Sequence, residues 1–324
     1  MAIVRTARPD ELPALVEHPG DPERNAATRA YLTQLLERGC TRPEWCLVAE
    51  GDDGRPAGSV VLWTVPGDPV PYAVVLFEAP ENAPGVADAL LDAAAALARD
   101  LGATELEHVV DAPAQAPQFQ RDPARRGELL RRSGFAVIRD GRRFQRHLPP
   151  GAELPPDDAR LTFRPLADLG PEPFVEVLAE LLGDTADARL AAMTAEHGPR
   201  AAARLLFDDT SGLHHEPHWW ELGYDTDGTP AVISLPAENP GAAVIGFVGV
   251  VPAHRGKGYA ASVVARGTRV LAAHGATRIV GDCDAANVAM ARAFERAGYT
   301  RFAERTEYAR PLTGRPPQGV PTNG

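Results

Sequence analysis

Apolar residues recur at helical spacing in two places along the chain. Ala260, Val263, Val264, Gly267, Val270 and Leu271 fall at i, i+3, i+4, i+7, i+10 and i+11, and Ala87, Leu90, Leu91, Ala94, Leu97 and Ala98 repeat that spacing 173 positions earlier. A single apolar stripe of this kind predicts a helix laid with one face on a sheet. Short runs rich in β-branched and aromatic residues surround each helix: WCLVAE, GSVVLWTV and YAVVLFEA in the first half, AVISL, AAVIGFVGVV and TRIVGDC in the second. DDGRP and DTDGTP have hairpin-turn composition. Strands mixed with helices, with hairpins leading, predict an α+β sandwich for each half.

The two halves also match in detail. Gly54-Arg55-Pro56-Ala57 returns as Gly228-Thr229-Pro230-Ala231 and Trp45 as Trp219, both at an offset of 174. Gly102-Ala103-Thr104 returns as Gly275-Ala276-Thr277, Ser133-Gly134-Phe135 as Ala297-Gly298-Tyr299, and Arg5 as Arg164. The offset drifts as loop lengths allow, while the order never breaks, which is the mark of a tandem duplication. The predicted organisation is one domain over 1–150, a linker rich in proline and acid over 151–160, a second domain over 161–312 and a disordered tail over 313–324. A chain of 324 residues is long enough for two such domains.

Charge and cysteine usage narrow the class. A net charge of −11 argues against a general nucleic-acid or membrane-surface binder and is compatible with a cationic substrate. Cys40, Cys46 and Cys283 form no CxxC pair and no metal spacing, so a reducing cytoplasm is expected. MAIVRTARPDELPAL has no apolar run of signal-peptide type, and no segment approaches a membrane span. The run His214-His215-Glu216-Pro217-His218 holds three histidines, but Pro217 prevents the regular helix that i, i+4 metal ligation needs, and no metal is expected. Two readings stand for the run: a part in shaping substrate binding, and, at least as well supported, a surface loop with Trp219 or Trp220 packing inward.

The candidate chemistry lies at VVPAHRGKGYA, 250–260. After the strand, Pro252 cannot extend the ladder. Arg255, Gly256, Lys257, Gly258, Tyr259 and Ala260 then lead directly into the apolar helix. Glycines allow close backbone approach, and the first N–H groups of a helix have no internal partner. Together with the helix dipole they form an anion site suited to a phosphate or pyrophosphate. Neither GxxxxGK[ST] nor GxGxxG is present.

This R-x-x-G-x-A turn resembles the acyl-CoA pyrophosphate loop of the GCN5-related N-acetyltransferases. So does the closing pattern of Asn287-Val288-Ala289-Met290-Ala291 followed by Phe294-Glu295-Arg296-Ala297-Gly298-Tyr299. The resemblance covers 161–312 well and 1–150 weakly. It implies two tandem domains of that kind, each a mixed, mostly antiparallel sheet flanked by helices. It implies acetyl-CoA as co-substrate and a small amine or peptide amine as acceptor. Val248, Gly249, Val250 and Val251 would lie along the pantetheine arm, with backbone N–H groups on the thioester carbonyl. Residues 255–260 would hold the pyrophosphate, and Asn287 would contact the arm. An alkylamine is mostly protonated at neutral pH and needs a base. By resemblance that place falls on Asp282, five residues before Asn287. Glu221 and His218, near the acceptor side, are reserve bases.

One position departs from the pattern. Many members carry a tyrosine twelve residues after the acid to protonate the leaving thiolate, whereas this chain has Phe294. Tyr259, Tyr299 or water is left for the task, or the thiolate leaves unprotonated. In the first half the loop reads Asn82-Ala83-Pro84-Gly85-Val86-Ala87, both cations are gone, and Val109 stands where Asp282 does. That half is expected to be a degenerate copy, with an inserted PAQAPQFQRDPARR stretch. The alternatives are a non-catalytic acyl-CoA sensor and, among enzymes, a transferase like the mycothiol synthases.

Overall fold

A computed structural model describes residues 2–312 apart from 13, 14, 16, 19, 52, 53, 240 and 241. The tail expected over 313–324 lies outside the described residues. The chain divides into two units, one made of residues up to Asp140 with those from Ala303 on, the other of Gly141–Phe302.

Unit 1 holds β1 (Val4–Thr6), α1 (Pro22–Glu37), β2 (Cys46–Glu50), β3 (Pro56–Trp63), β4 (Ala73–Glu78), α2 (Pro84–Asp100), β5 (Glu105–Ala112), α3 (Pro123–Arg132), the start of β6 (Ala136–His147) and most of β12 (Thr300–Pro311). Strands β1 to β4 pair antiparallel in order, and β4 pairs parallel with β5. The stripe on α2 is buried as predicted: Ala87, Leu90, Leu91, Ala94 and Ala98 pack on Trp45, Leu47, Val60, Leu62 and Leu106.

Unit 2 repeats the plan. The rest of β6 is followed by β7 (Thr162–Pro165), α4 (Leu166–Leu169), α5 (Glu172–Leu182), α6 (Ala188–His197), α7 (Pro199–Ser211), β8 (Glu221–Tyr224), β9 (Pro230–Asn239), β10 (Ala242–Val250), α8 (Tyr259–Ala273), β11 (Arg278–Asp284) and α9 (Val288–Arg296). Strands β7 to β10 pair antiparallel, and β10 pairs parallel with β11. Helix α5 buries Phe174, Val175, Val177, Leu178, Leu181 and Leu182, and α8 buries Val263, Val264, Gly267 and Leu271. Each fully buried aliphatic or aromatic side chain on these faces stabilises the unit by roughly 1.5–3 kcal/mol. The missing side chain of Gly249 lets α5 approach: a Cβ there would stand 2.6 Å from a methyl of Leu181.

The units differ from the contiguous division 1–150 and 161–312. In unit 1 the partner of β5 is β12, from Glu304↔Ala112 to Pro311↔Glu105. In unit 2 the partner of β11 is β6, from Arg278↔His147 to Asp284↔Gly141. Each unit thus takes a strand from the other half of the sequence. Both β5 and β11 would otherwise leave a row of unpaired N–H and C=O groups. β6 and β12 follow the matching Gly134-Phe135 and Gly298-Tyr299 positions of the two halves, so the exchanged strands are counterparts.

The segment expected to be a bare linker is also held in place. Arg269 of α8 donates to the Pro155 carbonyl and to Asp157. Arg266 donates to Asp157 Oδ2 at 3.0 Å, and Ser262 Oγ to Asp158 Oδ2 at 2.8 Å. Cys40, Cys46 and Cys283 are buried and unbonded to one another. No described helix is long and apolar enough to cross a membrane.

Candidate functional site

Strands β10 and β11 stay paired only through Ala243↔Ile279 and Val244↔Val280. Beyond that point they splay. Strand β10 follows β9 across a bulge between Ile245 and Phe247, while β11 follows β6. The opening has one usable backbone edge. Val251 N–H donates to the Ala231 carbonyl at 2.9 Å, so by strand alternation Gly249 and Val251 face β9. Val248 and Val250 turn their amides and carbonyls to the splayed side, where Arg255 Nε reaches the Val250 carbonyl at 3.4 Å. Of the four residues expected along the arm, Val248 and Val250 have amides without a partner among the described residues, and Gly249 and Val251 are engaged by β9.

The turn after β10 has the expected form. Gly256 and Gly258 take φ of +76° and +85°, the left-handed region that favours glycine, and Gly258 is the N-cap of α8 without a side-chain cap. Among the described residues, the amides of Gly256, Lys257, Gly258, Tyr259 and Ala260 donate to no carbonyl or side chain. Five outward N–H groups at a helix start make a nest for an anion. The nearby cations have local partners. Arg255 donates to the Asp184 carboxylate and, at 2.9 Å, to its carbonyl, and Lys257 Nζ lies 3.3 Å from His254 Nδ1.

Asp282 lies two residues past the last β10–β11 pair. It shares a strand face with Val280, which packs with Val244, Ala237 and Leu213. Arg143 of β6 stands directly across from it. The next residue on that face, Asp284, is a structural anchor: its Oδ2 accepts from Ala188 N–H at 3.0 Å and its Oδ1 from Ala286 N–H at 2.7 Å. The α5–α6 connection is therefore held at one end by Arg255 and at the other by β11. Asn287 caps α9, its Oδ1 accepting from Met290 N–H at 3.1 Å, and its Nδ2 group remains unbonded among the described residues.

The structure separates Glu221 from Asp282. Glu221 pairs with Ser234, whose hydroxyl faces α8, and its carboxylate is gripped by Arg266 Nε at 2.7 Å and Nη2 at 2.6 Å. Only 5% exposed and held by two charge-assisted bonds, it is an anchor for α8 and not a reserve base. His218 belongs to a packed group around the tryptophans. Trp219 Nε1 donates to His274 Nε2 at 3.2 Å, His218 Nε2 lies 3.4 Å from the same nitrogen, and His215 stacks on Trp220 at 4.0 Å.

Position 294 has no proton to give. Phe294 is 1% exposed, stacked on Phe144 at 5.0 Å and edge-on to Tyr299 at 5.3 Å. Thr268 donates its hydroxyl proton to the Val264 carbonyl, so Tyr299 donates to Thr268 Oγ1, at 2.7 Å. Burial pushes the Tyr299 phenol up to about 12, and it is not a ready acid. Phe294→Tyr is accordingly expected to gain no turnover and to lose roughly 1–3 kcal/mol in urea unfolding, the cost of a buried unpartnered hydroxyl. A Cβ on Gly281 would already stand 2.7 Å from the Phe294 ring tip, so the new hydroxyl has little room.

The equivalent opening of unit 1 is differently furnished. Strands β4 and β5 part after Val74↔His108. Arg126 Nη1 then donates to the Phe77 carbonyl at 2.7 Å, and Gln120 Nε2 to the Val109 carbonyl at 2.7 Å. Thr28 bonds the Pro117 carbonyl at 3.0 Å, tying α1 to the inserted stretch. Both diverged strands thus carry side chains of the unit itself. Gly85 lies inside α2, which starts at Pro84 with no side-chain cap, so no glycine nest forms there. Burial, then the nearby Arg126 charge, hold the His108 imidazole down at about 3, against roughly 6.5 in an open chain. Below pH ~6.5 the unfolded chain gains a proton that the folded one refuses, so this contribution is complete above pH ~6.5 and is lost toward pH 3. Between pH 7 and 5, His108→Gln is expected to flatten the fall in urea-unfolding stability by about 1.4 kcal/mol per pH unit below 6.5.

Known proteins share this architecture. Residues 182–299 match the family model described as the acetyltransferase (GNAT) family. No curated protein matches the chain. A GCN5-related N-acetyltransferase from Sphaerobacter thermophilus superposes with a TM-score of 0.62 at 19% identity, covering 98% of this chain and 96% of its own. A tandem GNAT protein from the clavulanic acid biosynthesis pathway gives 0.52 at 17% identity over 97% and 100%. A GCN5-related N-acetyltransferase from Kribbella flavida gives 0.53 at 18% over 88% and 95%. At these identities the likeness establishes the fold.

Proposed function

We propose that the chain is an acetyl-CoA-dependent N-acetyltransferase of the acetyltransferase (GNAT) family, whose model matches residues 182–299, working by direct transfer in unit 2 on a small amine or peptide amine. The observation that carries this reading is the nest of five open amides at 256–260 beside the splayed edge of β10. An acyl-CoA fits both parts. The nest would take the diphosphate, and the Val248 and Val250 amides would take the arm and polarise the thioester carbonyl. The coenzyme supplies the activated acyl group. Asp282, on the α5 side of the opening, would accept the proton of the attacking amine, directly or through a water. Asn287 has its Nδ2 group left for the arm.

With Phe294 apolar and Tyr299 bonded to Thr268, no tyrosine serves the leaving sulfur at either position. Tyr259 stands at the first turn of α8 among the nest amides, the diphosphate end. A thiol with a pKa of roughly 8.5 leaves tolerably well unprotonated near neutral pH. The missing acid is also the observation that favours a second reading, an acyl-CoA sensor without turnover. In unit 1 the occupied Phe77 and Val109 carbonyls and the absent nest support a degenerate copy. The deciding experiment is release of free CoA thiol from acetyl-CoA over a panel of amines, aminoglycosides, polyamines and peptides. Amine-dependent release supports the transferase, and binding without release supports the sensor.

A further inference from the structure

The residue that braces the coenzyme loop comes from the segment between the two repeats. Arg160 Nη1 donates to the Lys257 carbonyl at 3.0 Å, and its guanidinium lies 4.6 Å from the centre of the Tyr259 ring. The loop is thereby gripped on both sides of Gly258, the left-handed residue with no Cβ to hold it. In a trans peptide the C=O and the following N–H point in opposite directions. Fixing the Lys257 carbonyl therefore fixes the direction of the Gly258 N–H, the central donor of the nest. Arg160 is itself anchored. Its Nε and Nη2 donate to the two oxygens of Asp158 at 2.8 and 2.6 Å, and Asp158 accepts Ser262 Oγ from α8. The Arg160 bonds hold the Asp158 carboxyl well below the usual carboxylate range, so the strut is charged at any ordinary pH.

We propose that Arg160 is a positioning residue for acyl-CoA: it pre-orders the Lys257–Gly258 peptide so that the nest needs no rearrangement to receive a diphosphate. This rests on the coenzyme reading of unit 2. Because Asp158 balances its charge, Arg160 acts by geometry more than by attraction. Freeing one glycine that binding must re-order lowers affinity about tenfold.

The test compares wild type, Arg160→Ala and Asp158→Asn, using coenzyme A binding together with turnover of acetyl-CoA and of S-acetylpantetheine, which lacks the diphosphate. The expected result for Arg160→Ala is a roughly tenfold weaker Kd for coenzyme A and a matching rise in KM for acetyl-CoA. Its kcat should stay near wild type, and kcat/KM for S-acetylpantetheine should not move. Asp158→Asn should shift the same parameters in the same direction by a smaller factor. General damage to the unit would lower both substrates together. Wild-type binding with an unaffected Arg160→Ala, or equal losses on both substrates, overturns this inference alone. Absence of coenzyme binding by the wild type overturns the coenzyme reading and this inference with it.

Discussion

Gly258→Glu is expected to weaken coenzyme A binding by a hundredfold or more, about 2.7 kcal/mol. Two effects act together. Position 258 has φ +85°, a region that costs an L-residue roughly 1–2 kcal/mol. The added carboxylate also stands at the positive end of α8, in direct competition with a diphosphate. The fold should survive, because a Cβ at 258 meets nothing within 4 Å. Unit 1 supplies an internal control. A Cβ at Gly85 also meets nothing within 4 Å, and Gly85 sits in the first turn of α2, so Gly85→Glu places the same charge at the matching helix. Equilibrium dialysis should show lost binding for Gly258→Glu and wild-type binding for Gly85→Glu. The reverse pattern would move the coenzyme site to unit 1.

Asp282→Asn is expected to lower kcat by about 10²–10⁴-fold, the usual contribution of a positioned base, with KM for acetyl-CoA unchanged. The amide keeps the shape and loses the basicity, so the residual rate should rise as pH approaches the pKa of the amine acceptor, roughly 10. Asp284→Asn separates chemistry from architecture. Its carboxylate holds Ala188 and Ala286, so that variant should lose stability while the folded enzyme keeps a kcat near wild type. If the Asp282→Asn enzyme turns over at the wild-type rate, deprotonation of the acceptor occurs elsewhere.

The parts of this molecule carried by local periodicity were readable from sequence. The stripes on α2 and α8 follow from spacing alone, and the runs that became β2, β3, β4, β9, β10 and β11 are short, β-branched and bounded by turn residues. The loop at 255–260 was legible because its chemistry lies in consecutive residues. The features that sequence does not show are non-local. β6 and β12 hold matching places in the two halves, and no pattern within a strand tells which edge it will meet. Glu221 and Asp282 are both acids on strands, and only the sheet face, α8 side for one and α5 side for the other, separates an ion-pair anchor from a candidate base. The stretch at 151–160 has the composition of a solvated connector, yet Asp157 meets Arg266 and Arg269, one helical turn apart on α8. That charge match was present in the sequence as a signal. Nothing comparable marked Arg160 against the Lys257 carbonyl, and the Gln120 and Arg126 contacts in unit 1 lay hidden in an insertion that has no counterpart in the second half.

The most direct test is a crystal structure of the protein grown with coenzyme A. Diphosphate oxygens are expected within hydrogen-bond distance of the amides from Gly256 to Ala260, with the pantetheine arm on the open edge of β10 at Val248 and Val250. Density for the diphosphate at residues 82–87, or a nest without coenzyme in crystals that hold it elsewhere, would contradict that placement.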